Sequence, residues 1–275
     1  MAGHGRGPVR RRLRRLPWLW SAVAGMAVAW PAWVGSELPA PAPSPPRSGY
    51  EFARPETQAI QDDEFANPGL FWAERGAELW DSPDGVDGQS CSSCHGAAGA
   101  LAGVAPTYPK IDLASGLLIN LEQRINACRT RHMGIGPYPL ESDPLLSLSV
   151  YVTQQSAGQP LQVQIDGPAQ PWFERGRSLY AERVGQMNVA CTQCHDQRVG
   201  HLLRAERISQ GQINGFPAYL LRWGTVSSVH RRFQFCNEQA RAEPLPIGSD
   251  DYNALQLYVA WRGTGLAVEA PAVRR

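Results

Sequence analysis

Cys91-Ser92-Ser93-Cys94-His95 and Cys191-Thr192-Gln193-Cys194-His195 stand 100 residues apart, and their surroundings match. Glu74-Arg75-Gly76 with Leu79-Trp80 precedes the first; Glu174-Arg175-Gly176 with Leu179-Tyr180 precedes the second. Downstream, Arg124 and Cys128 answer Arg232 and Cys236 at a spacing of 108, and Ser142-Asp143 with Tyr151-Val152 answers Ser249-Asp250 with Tyr258-Val259 at 107. Landmarks repeated in one order mark a duplicated unit. The repeat predicts two homologous domains, 50–156 and 171–275, joined by the polar, Gly/Pro-containing segment 157–170.

Each unit has the same coarse plan. A short helix is expected over about 69–80 and 171–182, then the Cys-x-x-Cys-His motif, then a loop-rich stretch. A second helix, over about 117–130 and 219–237, carries the lone cysteine. A last helix starts after Ser142 and Ser249, good N-cap residues with acids in the first turn. Leu146, Val150 and Tyr151, like Leu255, Tyr258 and Val259, recur at helical spacing and are expected in the core.

Cys-x-x-Cys-His is the attachment signature of c-type haem. Two intervening residues let both sulfurs reach the two vinyl groups of one macrocycle, and the histidine is then aimed at the iron. A thioredoxin-like pair needs a βαβ context, which is absent. A zinc site needs a second ligand pair, which neither unit has. Two copies predict two haem c groups, bound through Cys91, Cys94, Cys191 and Cys194, with His95 and His195 as proximal ligands. The fold class expected is mostly α, two tandem cytochrome c-like domains, with Trp80/Tyr180 and Tyr151/Tyr258 at the contact of first and last helices.

The distal ligand is less usual. The methionines are Met1, Met26, Met133 and Met187, so none follows His195. Met133 is available to the first unit only. The candidates common to both units are Cys128 and Cys236, each four residues after an arginine. A thiolate is a strong ligand to ferric haem and lowers its potential. We therefore expect His/Cys ligation at both irons. His201 and His230 are alternatives in the second unit, without counterparts in the first, and are expected at the surface. A Cys128–Cys236 disulfide is the competing reading of the two lone cysteines.

The chain has 275 residues, 43% of them hydrophobic, with 26 Lys+Arg against 25 Asp+Glu. That excludes a wholly disordered chain and gives no polyanion-binding signature, so nucleic acid is not expected as a partner. Residues 1–36 hold six arginines and no acid; the other 20 basic residues face 25 acids, a charge of −5. A basic stretch, an apolar stretch and then small residues form a signal-peptide pattern over 1–36, followed by a Pro/Ala-rich linker over 37–49. A retained membrane anchor competes, but Pro31 interrupts the apolar run and no basic flank follows it. The expectation is an exported, periplasmic protein with no stable membrane anchor.

Taken together, CSSCH, CTQCH, Cys128-Arg129-Thr130-Arg131-His132-Met133-Gly134 and Arg231-Arg232-Phe233-Gln234-Phe235-Cys236 resemble the SoxA family over about 50–275. SoxA proteins are the dihaem cytochrome subunits of the bacterial sulfur-oxidising system. The resemblance implies a heterodimer with the monohaem cytochrome SoxX, and oxidative conjugation of thiosulfate to a cysteine of the SoxYZ carrier. Electrons then leave to a c-type cytochrome acceptor. It implies that Cys236 is both distal ligand and catalytic residue, found as a persulfide, that Arg232 contacts substrate, and that Cys128 is the distal ligand of the first haem. Arg124 then reads as a structural or propionate-binding counterpart of Arg232. The competing function is a dihaem electron carrier without substrate chemistry.

Overall fold

A computed structural model describes residues 45–275. The expected signal segment, and the linker up to residue 44, lie outside the described residues. Helix α1 spans Pro55–Asp62 and α2 Gly69–Asp81; α3 is the single turn Cys91–His95. Strands β1 (Lys110–Ile111) and β2 (Leu118–Ile119) pair antiparallel ahead of α4 (Leu121–Arg131) and α5 (Asp143–Gln154). The second unit repeats this order. Helices α6 (Gln170–Ala181) and α7 (Cys191–His195) precede a hairpin of β3 (Leu202–Leu203) and β4 (Glu206–Arg207). A second hairpin of β5 (Ala218–Leu220) and β6 (Thr225–Ser227) leads into α8 (Val229–Gln239) and α9 (Asp250–Arg262). Strand β7 (Ala272–Arg274) runs parallel to β5. The architecture is mostly helical, as expected.

Two helix crossings organise the molecule, α2 on α5 and α6 on α9. Each depends on the glycine of its Glu-Arg-Gly. A Cβ on Gly76 would overlap the Ser147 carbonyl, and one on Gly176 the Ala254 carbonyl. Only glycine lets the two backbones come this close. The aromatic pairs expected at these crossings are present. Trp80 meets Tyr151 edge-on with centroids 6.0 Å apart, and Tyr180 meets Tyr258 at 5.2 Å. Such pairs contribute about 0.5–1.5 kcal/mol beyond the area they bury. Trp80, Leu121, Leu148 and Val152 form one core; Tyr180, Tyr252, Leu255 and Val259 form its counterpart.

The helices carrying the lone cysteines begin later than expected. Residues 219–228 are not helical: β5 and β6 occupy half of them, around a turn in which Gly224 has φ +64°. Helix α8 starts only where the Ser228 hydroxyl accepts the Arg231 N–H, and α4 where the Asn120 side chain accepts the Gln123 N–H. These caps stop the helices from extending backwards into the hairpins. Asn120 and Ser228 are themselves 108 residues apart. So are Tyr108-Pro109 and Phe216-Pro217, both cis.

The two units are sewn together by main-chain acceptors. Gln123 Nε2 donates to the Gly248 carbonyl at 2.9 Å, and Asn253 Nδ2 to that of Leu118 at 3.1 Å. The segment ahead of α2 is tied to β7, with Asn67 Nδ2 donating to Pro271 O at 2.9 Å and Val273 N to Gln61 Oε1 at 3.0 Å. Among the described residues no helix is long and apolar enough to cross a membrane.

Candidate functional site

Each Cys-x-x-Cys-His forms one helical turn seated under its crossing. In the first, Ser90 caps α3 by accepting the Ser93 N–H, while the Ser93 hydroxyl accepts the Ser90 N–H. In the second, the Gln193 side chain accepts the Ala190 N–H. The aromatic of the preceding helix fastens the far end of each turn. Trp80 Nε1 donates to the Gly96 carbonyl at 3.0 Å, and the Tyr180 hydroxyl to Asp196 at 3.0 Å.

The two histidines are held differently. His195 Nδ1 lies 2.8 Å from the Ser209 carbonyl. A carbonyl only accepts, so Nδ1 carries the proton and Nε2 keeps its lone pair, the form an iron ligand requires. Gly211, at φ +75°, lies flat against this ring, and a Cβ there would sit 2.9 Å from His195 Cγ. His95 is exposed and packs beside Trp80, ring centroids 5.7 Å apart. Ser209 and Gly211 are absent from the sequence reading, because a main-chain acceptor leaves no residue-type signature.

The lone cysteines share an electrostatic neighbourhood with their own motif. Burial pushes the Cys128 thiol up, with Arg124 and Arg131 pulling the other way. Cys91 is raised by burial and then by Cys128. In the second unit the protein packed around the Cys236 sulfur raises its thiol, opposed by Arg232, although the residue itself is exposed, and Cys191 is pushed up to about 12 by burial and then by Cys236. All six cysteines are free, so the 128–236 disulfide is not formed. Four thiols available for thioethers, a histidine in the ligating tautomer and a cysteine beside each motif fit haem c.

Arg232 and Cys236 lie on α8 at positions i and i+4, one above the other on one face. Their counterparts Arg124 and Cys128 share α4 in the same way. The arginines differ sharply. Arg124 donates to Tyr108 Oη at 3.2 Å and to Asp112 Oδ1 at 2.7 Å, and Asp112 is 2% exposed. Arg131 pairs with the same carboxylate at 2.8 Å, and the two guanidiniums hold Asp112 far below the usual carboxylate range. Position 220, which matches 112, is leucine. Arg232 has no Asp or Glu side chain within ion-pair distance among the described residues. Its hydrogen bond is to a main-chain oxygen of Arg275 at 3.2 Å, and its guanidinium lies 5.3 Å from the Phe235 centroid.

The remaining candidates separate cleanly. His201 is exposed, as expected. His230 is not at the surface: it is 0% exposed, stacked on Phe233 and against Tyr252, with Nδ1 accepting the Gly248 N–H at 3.0 Å. It occupies the first turn of α8, which faces inward. Met133 is buried below the loop at Gly85, its carbonyl accepting the Val86 N–H.

The model of the SoxA/TsdA cytochrome c domain matches residues 75–161. The L-cysteine S-thiosulfotransferase subunit SoxA of Pseudaminobacter salicylatoxidans is 44% identical over 230 residues, covering 83% of this chain and 80% of the relative. The subunit of the same name from Rhodovulum sulfidophilum is 40% identical over 229 residues, with 83% and 80% covered. The crystal structure of SoxXA from P. pantotrophus superposes with a TM-score of 0.81 at 40% identity, over 84% of this chain and 87% of that one. With its helix crossings, its two Cys-x-x-Cys-His turns and these relatives, the chain belongs to the SoxA family.

Proposed function

We propose that this chain oxidatively joins thiosulfate to a cysteine of the SoxYZ carrier, as the SoxA subunit of a SoxXA-type complex. The reaction balances as carrier thiol plus thiosulfate giving the carrier S-thiosulfonate, one proton and two electrons. Cys236, or its persulfide, is the sulfur-reactive centre. Arg232 binds the thiosulfate dianion by charge-assisted hydrogen bonds and favours the thiolate of Cys236. Bound haem c supplies the electron sink. The chain carries two, on Cys91/Cys94/His95 with Cys128 and on Cys191/Cys194/His195 with Cys236, in units divided at 157–170. Electrons leave through SoxX to a c-type cytochrome acceptor, and the protein works in the periplasm after export on its 1–36 segment.

The observation that carries this reading is the contrast between the two arginines. Arg124 is paired with a buried aspartate, while Arg232, one helical turn from Cys236, is paired with no Asp or Glu side chain among the described residues. An electron carrier has no need of an open guanidinium one helical turn from a distal ligand. The test is thiosulfate-dependent conjugation to the carrier by the wild type and by Cys236→Ser. Loss of conjugation in the variant is expected; equal activity removes Cys236 from the chemistry.

A further inference from the structure

The β5–β6 turn and the adjoining face of α8 carry a ladder of arginines on aromatic rings. Trp223 packs edge-on against Phe235, centroids 5.6 Å apart. The Arg222 guanidinium lies 4.9 Å from the Phe235 centroid, and Arg232 reaches the same ring at 5.3 Å. Arg231 lies 4.6 Å from the Trp223 centroid. Contacts of this kind fix a guanidinium in position while leaving its N–H donors available. None of the three has an Asp or Glu side chain within ion-pair distance among the described residues. Glu141, which feels the charge of Arg231, is already engaged by the Ser228 N–H.

The first unit has the scaffold without the ladder. At the spacing of 108, Gly224, Arg232 and Cys236 match Gly116, Arg124 and Cys128. Arg222, Trp223, Arg231 and Phe235 instead match Ala114, Ser115, Gln123 and Ala127. The hairpin and helix therefore do not need these four side chains in order to form. They belong to something only the second unit does.

We propose that Arg222 and Arg231, seated on Phe235 and Trp223, are the docking surface for an acidic face of the protein carrier that brings its cysteine to Cys236. The inference rests on the sulfur-transfer reading above. A protein-borne thiol can reach Cys236 only if the body of its carrier covers the surrounding surface. Arg232 shares a helix face with Cys236, and its guanidinium reaches the Phe235 ring that Arg222 also covers, so the ladder borders the reacting centre through the substrate arginine. Guanidiniums fixed around that mouth and not neutralised from within attract an acidic partner and orient it on approach.

The test uses the haem-loaded complex with its partner cytochrome, as wild type, as Arg222→Gln/Arg231→Gln and as Arg222→Glu/Arg231→Glu. The probe is the carrier with its acceptor cysteine changed to serine, so that binding is read without turnover. At low salt the charge reversal is expected to weaken carrier binding roughly tenfold or more, with the glutamine pair in between. The differences should shrink at high salt, because rim charges are screened. With the native carrier, its KM should rise by the same factor while the KM for thiosulfate stays put. Equal binding by all three proteins overturns the proposal. So does loss of the partner cytochrome from the purified variants, which would make the ladder that subunit's interface. A shifted haem spectrum would assign the arginines to the cofactor instead. A wild type that binds carrier but never conjugates thiosulfate would sink the sulfur-transfer reading alone.

Discussion

Arg124 donates to the buried carboxylate of Asp112 at 2.7 Å, and Arg131 closes on the other oxygen of that carboxylate at 2.8 Å. Removing the acid leaves two guanidiniums facing each other across a site built for an anion. Asp112→Asn is expected to destabilise the protein by roughly 2 kcal/mol, below the cost of breaking a fully buried pair because Arg131 reaches solvent. The sign with pH is fixed by the depressed carboxyl. Its stabilisation is complete above the ordinary aspartate range and drains away as pH falls through and below that range. Thermal unfolding at several acidic pH values should show the wild type converging on the variant.

The helix crossings give a paired prediction. Gly76→Ala and Gly176→Ala each drive a methyl group into a backbone carbonyl that cannot move without shifting its helix. Each should cost about 1–3 kcal/mol, in the range of overpacked cores. Chemical denaturation of the two variants checks this. A cost near zero at either glycine would mean that the crossing is looser than its geometry.

Glu122 is 8% exposed, accepts from the Ser149 hydroxyl at 3.1 Å, and is raised to about 7, first by burial. A carboxyl raised in the folded state stabilises below the unfolded value, near 4.5, and loses that contribution as pH climbs towards 7. Glu122→Gln keeps the acceptor for Ser149 without the titration. The variant should match the wild type at pH 5 and exceed it at pH 8, by on the order of 3 kcal/mol at most. Stability curves that run parallel across that interval would exclude Glu122 as the titrating group.

Gly211→Ala puts a methyl group against the His195 imidazole and displaces it from the Ser209 carbonyl. In the haem-loaded protein the expected result is a shifted potential for the second haem and an unmoved first one. Potentiometric titration followed at the Soret band separates the two.

With Cys128 as the proposed distal ligand, Cys128→Met exchanges a thiolate for a thioether and should raise the potential of the first haem while leaving the second unchanged. An unmoved first potential would take Cys128 off that iron.

The helices and the site were legible to different depths. The reading places α2 and α6 to within a residue and the starts of α5 and α9 at their serine caps; α5 and α9 bury residues nearly all round and pack as the inner member of each crossing. The motif marks where haem c would attach, because covalent chemistry needs a fixed spacing. The expected helices over 117–130 and 219–237 run back over β2 and most of the β5–β6 hairpin, because strands of two or three residues are too short to show alternation. His230 was placed outside because a single histidine carries no burial signal; its inward turn is set by where Ser228 starts the helix. Asp112 belongs to no motif, and its role emerges only when Arg124 and Arg131 are seen converging on it.

Both lone cysteines stand eight residues after their caps, Cys128 after Asn120 and Cys236 after Ser228. At 3.6 residues per turn that count fixes the azimuth of the sulfur about the helix axis, and one inserted residue would swing it by about 100°. The stretch between the histidine and the aromatic-proline pair obeys no such clock. There the repeat spacing drifts from 100 to 108, and the extra length is taken up around the β3–β4 hairpin without disturbing the rest. The duplicated unit is thus divided into a segment that behaves like a vernier, intolerant of insertion, and a slack segment through which the two copies were free to diverge in length.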